Sequence, residues 1–341
     1  MAVVITGGTG FVGSHSVAAL LRAGRRVRML VRDEAAVEPA LRPLGVDPAA
    51  VDVVVGDVTD EASVRRAVRA ADTVLHAASV FSFDSRDHRR MREVNARGTE
   101  IVLDAARAVG AGRVVYVSSV VALMPSRRPL SVHSPVGRPR ETYFASKAAA
   151  EVIARRHQAN GAPVVITYPP ALLGPSDPHI GDQTTRVRNV LRGLMPLWPL
   201  GGFPVGDVRD TAKLHAELLS AGSTRPNRYF GPGRYLSTRE FVRTLRQVTG
   251  RRLPTGYLPA TAMLPLGLLT GLVQRVWPAH IPAEYGGLYI CRCAARVAES
   301  ACAPLGIRPR PAAETMADTV RWLHERGLLS DRQAGSAPAS T

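Results

Sequence analysis

The sequence predicts an α/β fold: a doubly wound parallel sheet followed by a smaller, mostly helical C-terminal region. Three observations carry that expectation. Ala2–Ile5 is a short β-branched run that enters a glycine turn, and an apolar helical pattern begins at Phe11. Strand-like and helix-like stretches then alternate, at the period of a parallel sheet, as far as Tyr168. Beyond Pro169-Pro170 the regularity stops, and proline, glycine and long loops take over. A chain of 341 residues with 45% hydrophobic content can bury a large core and still carry an appendage.

The first strand ends in the turn Thr6-Gly7-Gly8-Thr9-Gly10, and Gly7, Gly10 and Gly13 have the spacing G-x-x-G-x-x-G. The first glycine permits the turn, the second lets the backbone approach a pyrophosphate, and the third lets helix and strand pack closely. The helix start, at Phe11, Val12 and Gly13, offers backbone N–H groups and a positive dipole end to phosphates. A dinucleotide is therefore expected here. Arg26–Val31 alternates like a second strand and stops before Arg32-Asp33. An acid at such a strand end accepts hydrogen bonds from ribose hydroxyls, whereas an arginine meets a 2′-phosphate. Arg32, with Arg28 as a second candidate, favours NADP(H) over NAD(H); Asp33 is the contrary residue, one step of register from the ribose.

Val51–Val55 reads as a third strand, closed by Gly56-Asp57-Val58 where an adenine edge could be met. Thr59–Ala71 reads as a helix with Thr59 or Asp60 at its N-cap. Thr73–His76 is the fourth strand, and the small residues Ala77, Ala78 and Ser79 after it leave room for the cofactor. A long helix is expected over Arg89–Val109, a fifth strand over Arg113–Val117, a helix over Glu141–Asn160 and a sixth strand over Pro163–Tyr168. A brief return to the sheet is expected at Phe203–Asp210, and helix again from Ser237. These boundaries give a cofactor domain over 1–168 with a strand return near 203–230. Residues 169–202 and 231–330 form a substrate-binding region, and 331–341, small and polar, a disordered tail. Leu253–Gln274 is apolar and free of charge, but prolines and glycines interrupt it, so no stable membrane span is expected. A pocket wall, a dimer face, an interfacial helix or a buried helix all fit that stretch.

The net charge of +16 invites a nucleic-acid reading. The cations are nearly all arginine, however, with Lys147 and Lys213 the only lysines, and they are spread along the chain. A nucleic-acid footprint clusters, and the low aromatic content of 5% argues against stacking platforms, so no nucleic-acid partner is expected. Cys291, Cys293 and Cys302 lie close together without histidines at zinc spacing. They read as reduced thiols of a cytoplasmic protein, with no metal. The N-terminal apolar run is too short, and lacks the cationic lead, for a signal peptide.

Tyr143-Phe-Ala-Ser-Lys147 places a phenol and an ammonium one helical turn apart on one face. An ammonium beside a phenol favours the phenolate and makes it a proton donor and acceptor near neutral pH. Ser119 stands at the end of the fifth strand, where open α/β sheets bind ligands, and its hydroxyl can stabilise a developing alkoxide. Ser118 reads as its structural neighbour. Asn95, mid-helix, reads either as part of a proton relay toward Lys147 or as a buried amide tying helix to sheet.

In these motifs the chain resembles the extended short-chain dehydrogenases/reductases, of the NAD-dependent epimerase/dehydratase superfamily. The resemblance runs through T-G-G-T-G-F-V-G (Thr6–Gly13), G-D-V (Gly56–Val58), H-A-A-S (His76–Ser79), V-N-A-R-G-T (Val94–Thr99), V-S-S-V (Val117–Val120), Y-F-A-S-K and P-P-A-L-L-G-P (Pro169–Pro175). V-R-D at Val31–Asp33 is similar to the strand end of the dihydroflavonol reductase and 3β-hydroxysteroid dehydrogenase group. The resemblance implies a Rossmann fold, a catalytic trio of Ser119, Tyr143 and Lys147 with Asn95 beside it, and a homodimer. It adds cofactor contacts at Tyr168, Pro169, Ala171 and Leu172 and at Lys147. Ketoreductase chemistry on a mostly apolar small molecule follows from it. A nucleotide-sugar epimerase or dehydratase that retains NAD is the competing enzyme reading, and a non-catalytic NADP-binding sensor is the reading from another class.

The chain departs from the family before the tyrosine, where Arg127, Arg128, Arg138 and Arg140 stand with His133 in place of an acidic loop. These are solvated loop charges, or they greet an anionic substrate tail. Phe81 and Phe83 follow the fourth strand, as a surface for substrate or as packing.

Overall fold

Ala2–Thr6 (β1) is buried along its whole length, so its side chains must be covered on both faces of a sheet. The computed structural model describes residues 2–68, 73–82, 87–126, 128–220, 227–265, 267, 285–293, 295–297 and 305–337. Among these, the strands Arg26–Val31 (β2), Val51–Val55 (β3), Thr73–His76 (β4), Arg113–Val117 (β5) and Val164–Tyr168 (β6) join β1 in one sheet. Ala171–Leu173 (β7), Leu197–Leu200 (β8) and Gly202–Asp207 (β9) follow, then Arg228–Phe230 (β10), Arg234–Ser237 (β11) and Gly256–Pro259 (β12). The main sheet has the order β10-β6-β5-β4-β1-β2-β3, and every pairing in it is parallel. Connections run outward both ways from β1, so the switch point lies between β1 and β4, where Thr6 pairs with His76.

The period-two pleat divides the core. Val3 and Ile5 face a layer with Val17 and Leu20 of the helix Phe11–Arg22 and with Leu214 and Leu218 of Val208–Ser220. Val4 faces the other layer, with Val102 and Ala106 of Thr99–Ala108 and Ala150 and Ala154 of Thr142–Ala159. The Rossmann architecture read from the sequence is present.

Several boundaries differ from the expectation. The chain's return to the main sheet is β10, beside β6, and not Phe203–Asp210. β9 instead lies between β11 and β7 in a second sheet. The reason is close backbone contact: a Cβ on Gly202 would stand 2.4 Å from the Leu236 carbonyl, and one on Gly206 would stand 2.3 Å from that of Pro232. The helix after β3 covers only Glu61–Ala67, with the Asp60 carboxylate accepting from the N–H groups of Ala62 and Ser63. The long helix around Asn95 is interrupted: His88–Arg92 and Thr99–Ala108 are α-helical, while Glu93–Gly98 is a π-turn.

The segment expected to be a disordered tail is folded as far as Ala337. Ser330 and Gln333 form a capping box for the turn Asp331–Ala334, Arg251 donates to the Gln333 carbonyl, and Ser336 N–H donates to Thr249. Of the apolar stretch Leu253–Gln274, only residues up to 265 and Gly267 are described; there β12 pairs with β8, and Leu253, Ala260 and Met263 are buried. Among the described residues no helix is long and apolar enough to cross a membrane.

Candidate active site

The glycine turn is fixed by close packing at two of its positions and is less tightly confined at a third. Gly7 has φ 73°, and a Cβ there would meet the Ala78 nitrogen at 2.6 Å. A Cβ on Gly13 would stand 2.0 Å from the Gly7 carbonyl oxygen. At Gly10, by contrast, the nearest described atom is that same oxygen at 3.3 Å, and φ is an ordinary −89°. A methyl at position 10 would ask the Gly7 carbonyl to give only by a few tenths of an ångström, far less than one at position 7 or 13. That turn, over a helix start with no side-chain cap and no acid in its first turn, suits a pyrophosphate. The residues therefore fit a dinucleotide.

At the end of β2 the two arginines part. Arg28 is buried and donates to the Ala67 carbonyl at 3.1 Å, so it faces the helix end and not the ribose position. Arg32 is exposed. Asp33 caps the short turn Glu34–Ala36, accepting from Ala35 N–H at 3.0 Å. Asp57 accepts from the Thr59 N–H and hydroxyl, at 2.9 and 2.8 Å, and Val58 packs under Gly98.

A directed hydrogen-bond chain crosses the switch point. Ala78 N–H donates to Thr6 Oγ1 at 3.3 Å, and the Thr6 hydroxyl meets His76 Nδ1 at 2.7 Å. His76 Nε2 meets Thr99 Oγ1 at 3.0 Å, and Thr99 donates to the Asn95 carbonyl at 2.6 Å. Because the Thr99 proton is committed to Asn95, the ring carries its own proton on Nε2 and accepts at Nδ1. Burial keeps His76 neutral, its pKa lowered to about 3, with the nearby Lys147 charge pushing the same way.

The structure brings Ser119, Tyr143 and Lys147 together at the carboxyl end of β5. Glu141 caps the helix Thr142–Ala159 by accepting from Phe144 N–H at 2.8 Å, and Tyr143 and Lys147 follow on one face. The Ser119 hydroxyl neighbours the Tyr143 phenol, and Ser119 Oγ caps the turn Val120–Leu123 by accepting from Val121 N–H. Lys147 donates from Nζ to the Val117 carbonyl at 3.1 Å and lies 5.6 Å from the Tyr116 ring centre. Burial lowers its pKa to about 8, opposed by Glu151. Tyr143 differs from the sequence expectation. Burial, assisted by the charges of Glu141 and Asp182, pushes the phenol above its usual value, and the neighbouring Ser119 hydroxyl opposes this. Lys147, turned to Val117, does not offset that burial.

Asn95 takes the tying role. Its Oδ1 accepts from Ser79 Oγ at 3.0 Å and Val80 N–H at 2.7 Å, and its Nδ2 donates to Val80 O and Ser146 Oγ, both at 2.9 Å. Both acceptor positions and both donor protons are thereby occupied, which leaves no proton relay through the amide. Ser146 in turn donates to the Tyr143 carbonyl at 2.7 Å. Phe81, 39% exposed, sets its edge on Tyr143 with ring centres 4.5 Å apart; Phe83 lies outside the described residues.

Tyr168 is displaced from the role expected of it. Its side chain is buried, donates to Glu151 Oε1 at 2.7 Å and packs on Phe230, so it points into the core and not to the cofactor face. Pro169 accepts from Val120 N–H, Ala171 is half-buried and Leu172 is buried in β7. Arg128, Arg138, Arg140 and His133 are exposed, as solvated loop charges are; Arg127 lies outside the described residues. Cys291 and Cys293 are unbridged, Cys302 lies outside the described residues, and the described residues hold no cluster suited to a metal ion.

Two residues here carried no role in the sequence reading. Glu151 continues the spacing of Tyr143 and Lys147 by one further turn, a signal that four-residue periodicity alone could have raised. His76 was visible as a polar residue ending an apolar strand.

The sequence profile of the NAD dependent epimerase/dehydratase family matches residues 3–231. The chain is 28% identical over 337 residues to sterol demethylase protein B of Methylococcus capsulatus, covering 96% of this chain and 100% of that one. It is 31% identical over 274 residues to cinnamoyl-CoA reductase 1 of Oryza sativa subsp. japonica, covering 76% of this chain and 78% of that one. The crystal structure of gox2253 superposes with a TM-score of 0.79 at 25% identity, covering 96% of this chain and 99% of that one.

Proposed function

The chain belongs to the NAD dependent epimerase/dehydratase family, among the extended short-chain dehydrogenases/reductases, and is an NAD(P)-dependent oxidoreductase; we propose that it uses NADP(H) to interconvert a carbonyl and a secondary alcohol on a mostly apolar small molecule. The observation that carries this reading is the convergence at the end of β5: Tyr143 and Lys147 one turn apart on the helix Thr142–Ala159, Lys147 Nζ donating to the Val117 carbonyl at 3.1 Å, and Ser119 two residues beyond that carbonyl.

When bound, the nicotinamide ring supplies hydride chemistry that no protein side chain possesses. Gly7, Thr9, Gly10, Phe11, Val12 and Gly13 would hold the pyrophosphate, and Asp57, Val58, Ala77, Ala78, Ser79, Pro169, Ala171 and Leu172 would line the cofactor site. Lys147 would anchor the ribose. Ser119 orients and polarises the substrate oxygen, and Tyr143 gives that oxygen its proton in reduction or removes it in oxidation. Arg32 favours NADP(H), since it is exposed at the strand end while Asp33 is engaged with Ala35. That same engagement weighs against an epimerase retaining NAD, which would need an acid on the ribose. Phe81, standing against Tyr143, supports an apolar or aromatic substrate, as do relatives named for a sterol and a cinnamoyl thioester.

Fluorescence titration with NADPH and NADH, followed by NADPH oxidation over aromatic ketones, ketosteroids and polyketide-like carbonyls, tests the reading. NADPH is expected to bind more tightly, at least one carbonyl is expected to turn over, and Tyr143→Phe is expected to abolish turnover with NADPH affinity nearly intact. Undiminished turnover in Tyr143→Phe would remove the assignment.

A further inference from the structure

Glu151 lies two helical turns beyond Tyr143, fully buried, in a position where a carboxylate needs strong compensation. It has that compensation. Ser118 donates to Oε2 at 2.7 Å, while Tyr168 and Arg155 Nε donate to Oε1, each at 2.7 Å. Arg155 also donates to Tyr168 at 3.2 Å and to the Ser134 carbonyl at 2.9 Å, which fixes the guanidinium behind the carboxylate. Ser118 is the residue between Val117, whose carbonyl receives Lys147, and Ser119, which neighbours the Tyr143 phenol. One buried anion therefore grips the strand end from which both of those contacts are made.

We infer that Glu151 is a positioning residue of the Tyr143–Lys147 pair: its carboxylate, gripped by Ser118, Tyr168 and Arg155, holds the strand end that receives Lys147 and stands one helical turn from that lysine as its counter-charge. Among the described residues, the titratable groups that act on Lys147 are Glu151 from its own helix, Tyr116 from β5 and His76 from β4, with Arg155 and Tyr168 behind Glu151. Of these, Glu151 is the one anion. The inference rests on the catalytic reading of Lys147 given above, but its test does not need turnover.

The chain holds only two lysines, and Lys213 is exposed. Protein labelled with ¹³C-lysine thus gives two Cε signals, and the Lys147 signal is identified with Lys213→Arg. In the unsubstituted protein its titration midpoint is expected near 8, the value burial and Glu151 together set. Glu151→Gln keeps the shape and removes the charge; the midpoint is expected to fall by about one pH unit. Ser118→Ala and Tyr168→Phe keep the charge, and their midpoints are expected at or above the wild-type value. A Glu151→Gln midpoint unchanged from wild type, or the same fall in all three variants, would reduce Glu151 to a packing residue. A protein that passes this titration yet reduces no carbonyl would fail the catalytic reading alone.

Discussion

Alanine at Gly13 and alanine at Gly10 are expected to damage different properties of the protein, though the two glycines share one turn. At Gly13 the new methyl would lie 2.0 Å from the Gly7 carbonyl oxygen. An ordinary contact requires that oxygen to retreat by roughly 1 Å, which breaks the turn bond from Gly10 N–H to Gly7 and costs about 3 kcal/mol, the upper range for overpacking a tight site. At Gly10 the methyl meets the same oxygen at 3.3 Å with φ already suited to alanine. Stability there is expected to change by less than about 1 kcal/mol, the usual difference between glycine and alanine at an N-cap. The same methyl occupies the space assigned to the pyrophosphate, so NADPH affinity is expected to fall by about tenfold or more, as when the backbone can no longer approach the phosphate. Urea unfolding followed by circular dichroism and NADPH fluorescence titration measure the two quantities on the same samples. Gly10→Ala with wild-type affinity would refute the placement of the cofactor over the turn. Gly13→Ala with wild-type stability would refute the packing argument.

Arg32→Ala is expected to weaken NADPH about tenfold, the value of a charge-assisted contact to phosphate, and to leave NADH affinity unchanged; parallel titrations check this. Asn95→Ala removes the amide that joins Val80 to Ser146 and is expected to cost about 2–3 kcal/mol of stability in urea unfolding, because the buried partners lose their bonds. His15, His76 and His215 are held neutral by burial, with pKa values lowered to about 4, 3 and 3. The unfolded chain takes up protons below pH 6.5 that the folded chain refuses, so stability is complete above pH 6.5 and falls as the pH drops toward 4. At pH 5 each histidine is expected to account for about 2 kcal/mol of that loss, and His76→Gln should flatten the slope of unfolding free energy against pH over this window.

The half of the chain that was legible is the half where one local rule decides each element. Short, mostly apolar runs became β1 to β6, and β1, β2 and β6 are buried almost throughout because strands covered on both faces must be continuously apolar. Tyr143 and Lys147 were readable because helix periodicity alone places them on one face. What escaped depends on partners distant in sequence. Arg28 and Arg32 look equivalent on paper; one is removed from the cofactor only because the carbonyl of Ala67, at the end of another helix, lies within reach. β9 carries a plausible strand pattern, but two close glycine approaches to Leu236 and Pro232 send it to the second sheet. The π-turn at Glu93–Gly98 leaves no mark in hydrophobic spacing. It is held by the contacts that Asn95 and Thr99 make to other elements. Glu151 is a similar case, since its role depends on Ser118 and Tyr168 arriving from two strands.

The hydroxyl–imidazole–amide chain from Thr6 through His76 and Thr99 to Asn95, and onward through Ser146 to the backbone of Tyr143, has a consequence for how such a protein can diversify. It gears the glycine-turn side of the sheet and the helix Thr142–Ala159 into one chassis, so neither can shift alone. Variation is then left to the segments after β6, which stand outside that chain of bonds.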